Sequence, residues 1–228
     1  MFKKKIIVAL DNDNIKEIIL TINQLKKEAF AFKLGYEFFY NFGIEGYNLV
    51  KKENIKIFLD LKLHDIPNTV QSAIKAISKL NPYFLTIHLS GGDEMQKAAN
   101  ISKKNIKILG VSILTSLDSK QTNKFYFNKK IKDIVKNYAH YALKNNLDGI
   151  VCSPKEIQII KKITSNKLLI ITPGIRPVNY IDKNDDQKRT MTPKEAIETG
   201  ANYLVIGRPI TKSSNPLKIL KSINLSLE

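Results

Sequence analysis

Ile55-Lys56-Ile57-Phe58-Leu59, followed directly by Asp60-Leu61-Lys62-Leu63-His64-Asp65-Ile66-Pro67-Asn68-Thr69, is the stretch that decides the fold. Its first five residues form a short apolar run bounded by polar sequence, the pattern of a buried strand. Strand side chains alternate faces, so Asp60 and Lys62 are expected on one side, about 7 Å apart along the chain. Pro67 suits the first turn of a helix, which leaves Asp65 in the turn between strand and helix. The run before Asp60 is apolar on both faces, which implies a strand covered by helices. An Asp and a Lys at the end of such a strand are partly desolvated, and strand ends are where barrel enzymes carry their chemistry.

The same unit recurs outward in both directions. Strands are expected at Lys5–Leu10, Ala29–Leu34, Ile55–Leu61, Phe84–Leu89, Ile106–Ile113, Gly149–Cys152, Leu168–Thr172 and Tyr203–Ile206. Amphipathic stretches near 14–27, 37–53, 67–80, 93–103, 129–146, 154–164, 193–200 and 215–226 predict helices between and after them. Eight strands, each followed by a helix, is the count of the α/β class (β/α)8 TIM barrel. A doubly wound open sheet would need fewer strands or a reversal of order. No linker, low-complexity tract or composition break interrupts residues 1–228, so one domain is expected.

In a barrel, function sits just after each strand. Those positions read Asp11; Lys33-Leu34-Gly35; the opening motif; His88-Leu89-Ser90-Gly91-Gly92; Leu114-Thr115-Ser116; Ser153; Thr172-Pro173-Gly174-Ile175-Arg176-Pro177; and Gly207-Arg208-Pro209. Nearly all are polar, small or charged, and the opposite strand ends show no such pattern. The connection 174–192 has no periodicity and carries Gln187 and Arg189. Loops after strands seven and eight commonly build a phosphate site. Arg176, Gln187, Gly207 and Arg208 supply forks, an amide and a close backbone approach there, which predicts a phosphorylated small molecule as substrate. Arg189 is left out of the site, a plain surface position being open to it.

A net charge of +16 raises the possibility of a nucleic-acid surface. Its distribution argues against one. Of 37 basic residues only Arg176, Arg189 and Arg208 are arginines, and the lysines are spread over nearly every expected helix in a chain also rich in Asn and Ile. Aromatics interleaved with basic residues are confined to Lys124-Phe125-Tyr126-Phe127. No apolar run approaches the roughly 18 residues of a membrane span, and Ile6–Leu10 is too short for a signal-peptide core. One cysteine, Cys152, excludes an internal disulfide, fits a reducing cytoplasm and reads as a small buried hydrophobe. Of the histidines, His64 is expected to pack or hydrogen-bond in its turn, His88 to line the barrel mouth or serve structure, and His140 to face solvent or an interface.

The motifs Asp60–Thr69, Leu114-Thr115-Ser116, Thr172–Pro177 and Ile206–Pro209, with Val8-Ala9-Leu10-Asp11 and Lys33-Leu34-Gly35, stand in the order of a known family. Over almost its whole length the sequence resembles the orotidine 5′-phosphate decarboxylases in their bacterial form. Phe125–Lys132 and Tyr180–Asp186 depart from that pattern. The resemblance implies decarboxylation of orotidine 5′-phosphate to UMP in pyrimidine biosynthesis, by a homodimer with shared active sites and with no metal or other cofactor. It makes Lys33, Asp60, Lys62 and Asp65 a charge array, with Lys62 as proton donor to C6 of the base and Asp60 against the substrate carboxylate. Asp11 and Lys33 would contact ribose, Asp65 and Thr69 would cross from the partner subunit, Thr115 would lie at the base, and Arg176, Gln187, Gly207 and Arg208 would hold phosphate.

The chemistry is consistent with such an array. Loss of carbon dioxide from C6 leaves a carbanion with no adjacent π system, so charge must be placed in advance. An ammonium stabilises that carbanion and then protonates it, carboxylates alongside favour the ammonium form, and remote phosphate binding is used at the base through loop closure. Magnesium-dependent phosphosugar decarboxylases and aldolases share the Asp-x-Lys-x-x-Asp arrangement and are the alternative within this fold. A basic nucleic-acid-binding barrel is the alternative outside it.

Overall fold

The structure, a computed structural model, describes residues 4–177, 180 and 189–228. Strands β1 (Ile6–Ala9), β2 (Ala31–Leu34), β3 (Ile57–Leu63), β4 (Phe84–His88), β5 (Lys107–Val111), β6 (Gly149–Val151), β7 (Leu169–Thr172) and β8 (Tyr203–Ile206) pair in chain order as a closed barrel. Every pairing is parallel, and β8 returns to β1 with Val8 opposite Ile206. Around the strands lie α1 (Ile15–Leu25), α2 (Tyr36–Lys51), α3 (Pro67–Ser78), α4 (Gly92–Ser102), α5 (Ser119–Phe125), α6 (Ile131–Lys144), α7 (Ile157–Thr164), α8 (Pro193–Thr199), α9 (Arg208–Thr211) and α10 (Pro216–Leu225). The expected (β/α)8 barrel is therefore the fold.

Local chemistry sets the helix starts. Asn14 caps α1 by accepting from the Lys16 and Glu17 amides, and Thr192 with Glu195 closes a capping box on α8. Pro67, Pro193 and Pro216 each open a helix, where a missing N–H costs nothing. Two short helices, α5 and α9, were not expected. Four to seven residues carry too little periodicity to register as amphipathic. The stretch expected as one helix near 37–53 contains a break at Gly43 (φ 54°, ψ −147°), a conformation that glycine adopts without steric cost.

Alternation along the strands divides the apolar residues into two cores. Ile6, Val8, Leu10, Phe32, Leu34, Ile57 and Leu59 face outward into the layer shared with the helices. Ile7, Ala9, Ala31, Phe58, Phe84, Leu109, Ile171, Tyr203 and Val205 fill the barrel. At the N-terminal end of the strands the filling is aromatic: Phe30 stacks on Tyr203 at 4.1 Å, Phe58 meets Phe84 edge-on at 5.6 Å, and Lys56 Nζ sits 4.3 Å above Phe30. These rings close the N-terminal end of the barrel among the described residues. Continuing each inward row by two residues gives Asp11 after Ala9, Lys33 after Ala31, Asp60 after Phe58 and Thr86 after Phe84. The apolar layers of the barrel thus end in a charged one.

Candidate active site

The charged layer is organised on Asp60. Its Oδ2 lies 2.9 Å from Lys62 Nζ and 3.6 Å from Lys33 Nζ, while Oδ1 accepts a 2.9 Å hydrogen bond from the Thr86 hydroxyl. Lys33 reaches on to Asp11 Oδ1 at 3.5 Å. The order of charges is therefore Asp11, Lys33, Asp60, Lys62, alternating in sign from β1 to β3. Burial alone would raise the Asp60 carboxyl, but Lys33, Lys62 and the Thr86 hydroxyl together hold it below its ordinary range. Lys33 is the mirror case. Burial works to discharge it, and Asp60 and Asp11 reverse this and raise it above the usual lysine value.

Asp60 and Lys62 do share a side, but not because β3 is regular there. Leu59 pairs with Leu85 and Leu63 with Ile87, so Asp60, Leu61 and Lys62 together face Thr86 alone. The strand bulges, and Lys62 takes a left-handed backbone with φ 43°. The expectation of simple alternation is corrected accordingly. The Thr86 hydroxyl fills the gap in the ladder, accepting from the Lys62 backbone N–H at 2.8 Å while donating to Asp60. Thr86 is fully buried and lies within β4 itself, so positions past the strand end do not point to it. Its signal was present as a hydroxyl at an inward position of an apolar strand. Tyr36 was missed too. Its hydroxyl donates to the Leu61 carbonyl at 3.0 Å and its ring lies 5.5 Å from Lys62 Nζ.

Two cavities meet at this layer. The smaller, about 170 Å³, is bounded by Lys33, Asp60 and Lys62 on one side and by Leu114, Thr115, Val151 and Cys152 on the other. The larger, about 520 Å³, lies between Asp11, Lys33, Gly174, Arg176, Gly207 and Arg208. Lys33, Pro173 and Val205 border both. Gly207 has reason to be glycine, because a Cβ there would stand 3.3 Å from the Ala9 Cβ. The structure thus brings together Asp11, Lys33, Asp60, Lys62, Thr115, Arg176, Gly207 and Arg208. Asp65 and Thr69 are exposed outside the cavities, and the Asp65 carboxylate accepts from the Ile66 N–H at 2.7 Å. Gln187 lies outside the described residues.

Arg189 does not take a surface position. It is 8% exposed, ion-paired to Glu156, and donates to the Leu114 carbonyl at 3.1 Å and the Thr115 carbonyl at 3.5 Å. Glu156 also completes a capping box with Ser153 after β6. Burial pushes its carboxyl upward against the pull of Arg189. Cys152 is buried, and burial raises its thiol well above the usual value, in keeping with the role of a small hydrophobe. His64 is exposed with Nε2 3.4 Å from the Ser90 hydroxyl, and its ring stands 5.5 Å from that of His88. A cavity of about 840 Å³ lies beside α6 and α7, on the far side of the Arg189–Glu156 pair, both of which border it. Its lysines (Lys132, Lys136, Lys155, Lys162) are exposed helix residues, and the charge array is not part of it. Among the described residues no three His, Cys, Asp or Glu side chains are grouped to hold a metal, and no helix is long and apolar enough to cross a membrane.

Residues 4–223 match the family model described as orotidine 5′-phosphate decarboxylase / HUMPS family. An orotidine 5′-phosphate decarboxylase of Wolbachia pipientis subsp. Culex pipiens is 46% identical over 224 residues, 96% of this chain and 98% of that protein. The crystal structure of the Lactobacillus acidophilus orotidine 5′-phosphate decarboxylase superposes with TM-score 0.84 at 34% identity, covering 99% of this chain and 100% of that one. The Methanocaldococcus jannaschii orotidine 5′-monophosphate decarboxylase, solved in complex with the inhibitor BMP, gives TM-score 0.80 at 25% identity, with 99% of both chains covered.

Proposed function

The chain belongs to the orotidine 5′-phosphate decarboxylase / HUMPS family, and from that premise we propose that it converts orotidine 5′-phosphate to UMP and carbon dioxide in pyrimidine biosynthesis. The observation that carries this reading is Asp60 held between two ammonium groups in the wall of a small cavity, with two arginines on the adjoining larger one. The base occupies the smaller cavity and the phosphate the larger, between Arg176, Gly207 and Arg208, with Asp11 and Lys33 at the ribose between them.

With the base so placed, its carboxylate is directed at Asp60 and its C6 at Lys62. As the bond to carbon dioxide breaks, the electron pair left in the plane of the ring faces the Lys62 ammonium, which stabilises it and then protonates C6. Asp60 aims that ammonium from 2.9 Å and is itself held by Thr86, so little reorganisation is needed as charge develops. No metal enters this scheme. Both Asp60 oxygens are already engaged by Lys62, Lys33 and Thr86, which favours an array of fixed charges over a metal-binding carboxylate.

Asp65 and Thr69 belong in this scheme to the site of a second copy. Tyr36 and Tyr40, stacked at 6.0 Å, and Ile66 beside Asp65 leave large apolar side chains exposed near the mouth, which supports a homodimer joined on that face. The test is the loss of pyrimidine absorbance when purified protein meets orotidine 5′-phosphate in EDTA. Turnover that survives chelation and disappears in Lys62→Ala is expected. An inactive wild-type protein, or full activity in Lys62→Ala, overturns the proposal, and turnover abolished by EDTA overturns its metal-free scheme.

A further inference from the structure

We propose that Arg189, braced by Glu156, is a positioning residue that holds the Leu114–Thr115 wall of the small cavity in register with the arginine clamp of the large one. This rests on the functional reading above and extends it to a group that touches neither cavity's proposed ligand.

The guanidinium sits where three strand-end connections converge. From the connection after β7, Nη1 pairs with Glu156, which follows β6, while Nη2 and Nε donate to the Leu114 and Thr115 carbonyls, which follow β5. Glu156 is anchored in turn, since its Oε2 accepts from the Ser153 N–H at 3.2 Å. Two residues beyond Arg189, Met191 is pinned to the start of the same connection. Its carbonyl accepts from the Arg176 N–H at 3.0 Å, its N–H donates to the Gly174 carbonyl at 3.4 Å, and Ile175 and Met191 form a parallel bridge. One short segment therefore bears on Arg176 at one point and on Thr115 at the other.

The choice of residue fits this task. A planar fork can satisfy a carboxylate and two carbonyls at once, whereas a lysine offers a single charged point. In a chain with 37 basic residues and only three arginines, two arginines border the larger cavity and the third is buried behind the smaller. A buried arginine that lost its carboxylate would be strongly destabilising, so the pair also locks the three connections to one another.

Arg189→Lys keeps the charge facing Glu156 and removes the fork. The experiment measures kcat and KM for orotidine 5′-phosphate, with dissociation constants for UMP, which fills both cavities, and for ribose 5-phosphate, which fills only the larger. A fall in kcat of about a hundredfold is expected, the scale of a small misplacement relayed from a distance. UMP should weaken while ribose 5-phosphate binding stays within about twofold, a split that general loosening would not give. Should Arg189→Lys lack native circular dichroism, Glu156→Asp, which keeps a carboxylate for the buried arginine but withdraws it by one methylene, carries the same test. Wild-type kcat in the variant, or equal weakening of UMP and ribose 5-phosphate, overturns the inference. Failure of the underlying functional reading is distinct, since the wild-type protein would then not turn over orotidine 5′-phosphate.

Discussion

Asp60 joins Lys33, Lys62 and Thr86, and these partners can be tested one at a time. Thr86→Val removes the hydroxyl that both donates to Asp60 and accepts from the Lys62 N–H, leaving two buried polar groups short of a partner. A loss of about 1–3 kcal/mol in denaturant unfolding is expected, with kcat lowered even though Thr86 touches no substrate in the proposed scheme. The pH dependence follows from the direction of the Asp60 shift. Its folded value lies below the ordinary aspartate value of about 3.9, so its charge adds stability above that pH and loses it as pH falls through the folded value. The stability gap between wild type and Asp60→Asn should accordingly be constant near neutrality and shrink in acid below about pH 4, followed by thermal unfolding across pH. Asp60 and Lys62 were legible as a pair because charged residues at the end of an apolar strand stand out. Thr86 and Glu156 were not, because a hydroxyl in a strand and a carboxylate in a capping sequence have ordinary structural uses that do not reveal a second partner brought in by the fold.

The bulge in β3 is where local reading and tertiary structure part company. Period-two alternation placed Asp60 and Lys62 together, yet the observed contact is made by a chain that leaves the regular strand, with Lys62 at φ 43°. Nothing in Asp-Leu-Lys-Leu signals a left-handed residue. The conformation is imposed by the ladder with β4, where Thr86 substitutes a side-chain acceptor for a missing carbonyl. An L-residue held there is strained, so Lys62→Gly and Lys62→Ala should differ. Both are expected to be inactive, but the glycine variant should unfold roughly 0.5–1 kcal/mol later, since relief of the left-handed penalty exceeds its added unfolded-state entropy. Equal stabilities in urea titration would show the bulge to be unstrained. The element boundaries were legible to within a few residues, since strands and helices announce themselves by period. The short α5 and α9 did not, because one or two turns are set by caps and neighbours and show no repeating apolar face.

At the scale of the whole molecule, the closed order of eight parallel strands was readable from the count and alternation of segments. Charge remains the distinctive global property. With a formal net charge of +16, the lysines of the outer helices repel one another and attract an anionic substrate from solution. Raising ionic strength from about 0.01 M to 1 M should raise the melting temperature as repulsion is screened, and lower kcat/KM for orotidine 5′-phosphate by slowing encounter. Opposite salt responses of the two quantities, by calorimetry and initial-rate kinetics, are the expected signature. A kcat/KM insensitive to salt would show that the lysine field does no steering.

The return of β8 to β1 sets Asp11, near the start of the chain, within 4.0 Å of where a side chain on Gly207 would begin. Proteins are made from the N-terminus onward, at about 5–20 residues per second. A nascent chain that has emerged only through β7 already contains Lys33, Asp60 and Lys62, yet lacks Gly207, Arg208 and the strand that would join its two bare sheet edges. Until that last strand leaves the ribosome there is no finished pocket. A copy broken off early is thus left open-edged and conspicuous to cellular quality control, and inert toward substrate rather than a slow or careless version of the complete enzyme.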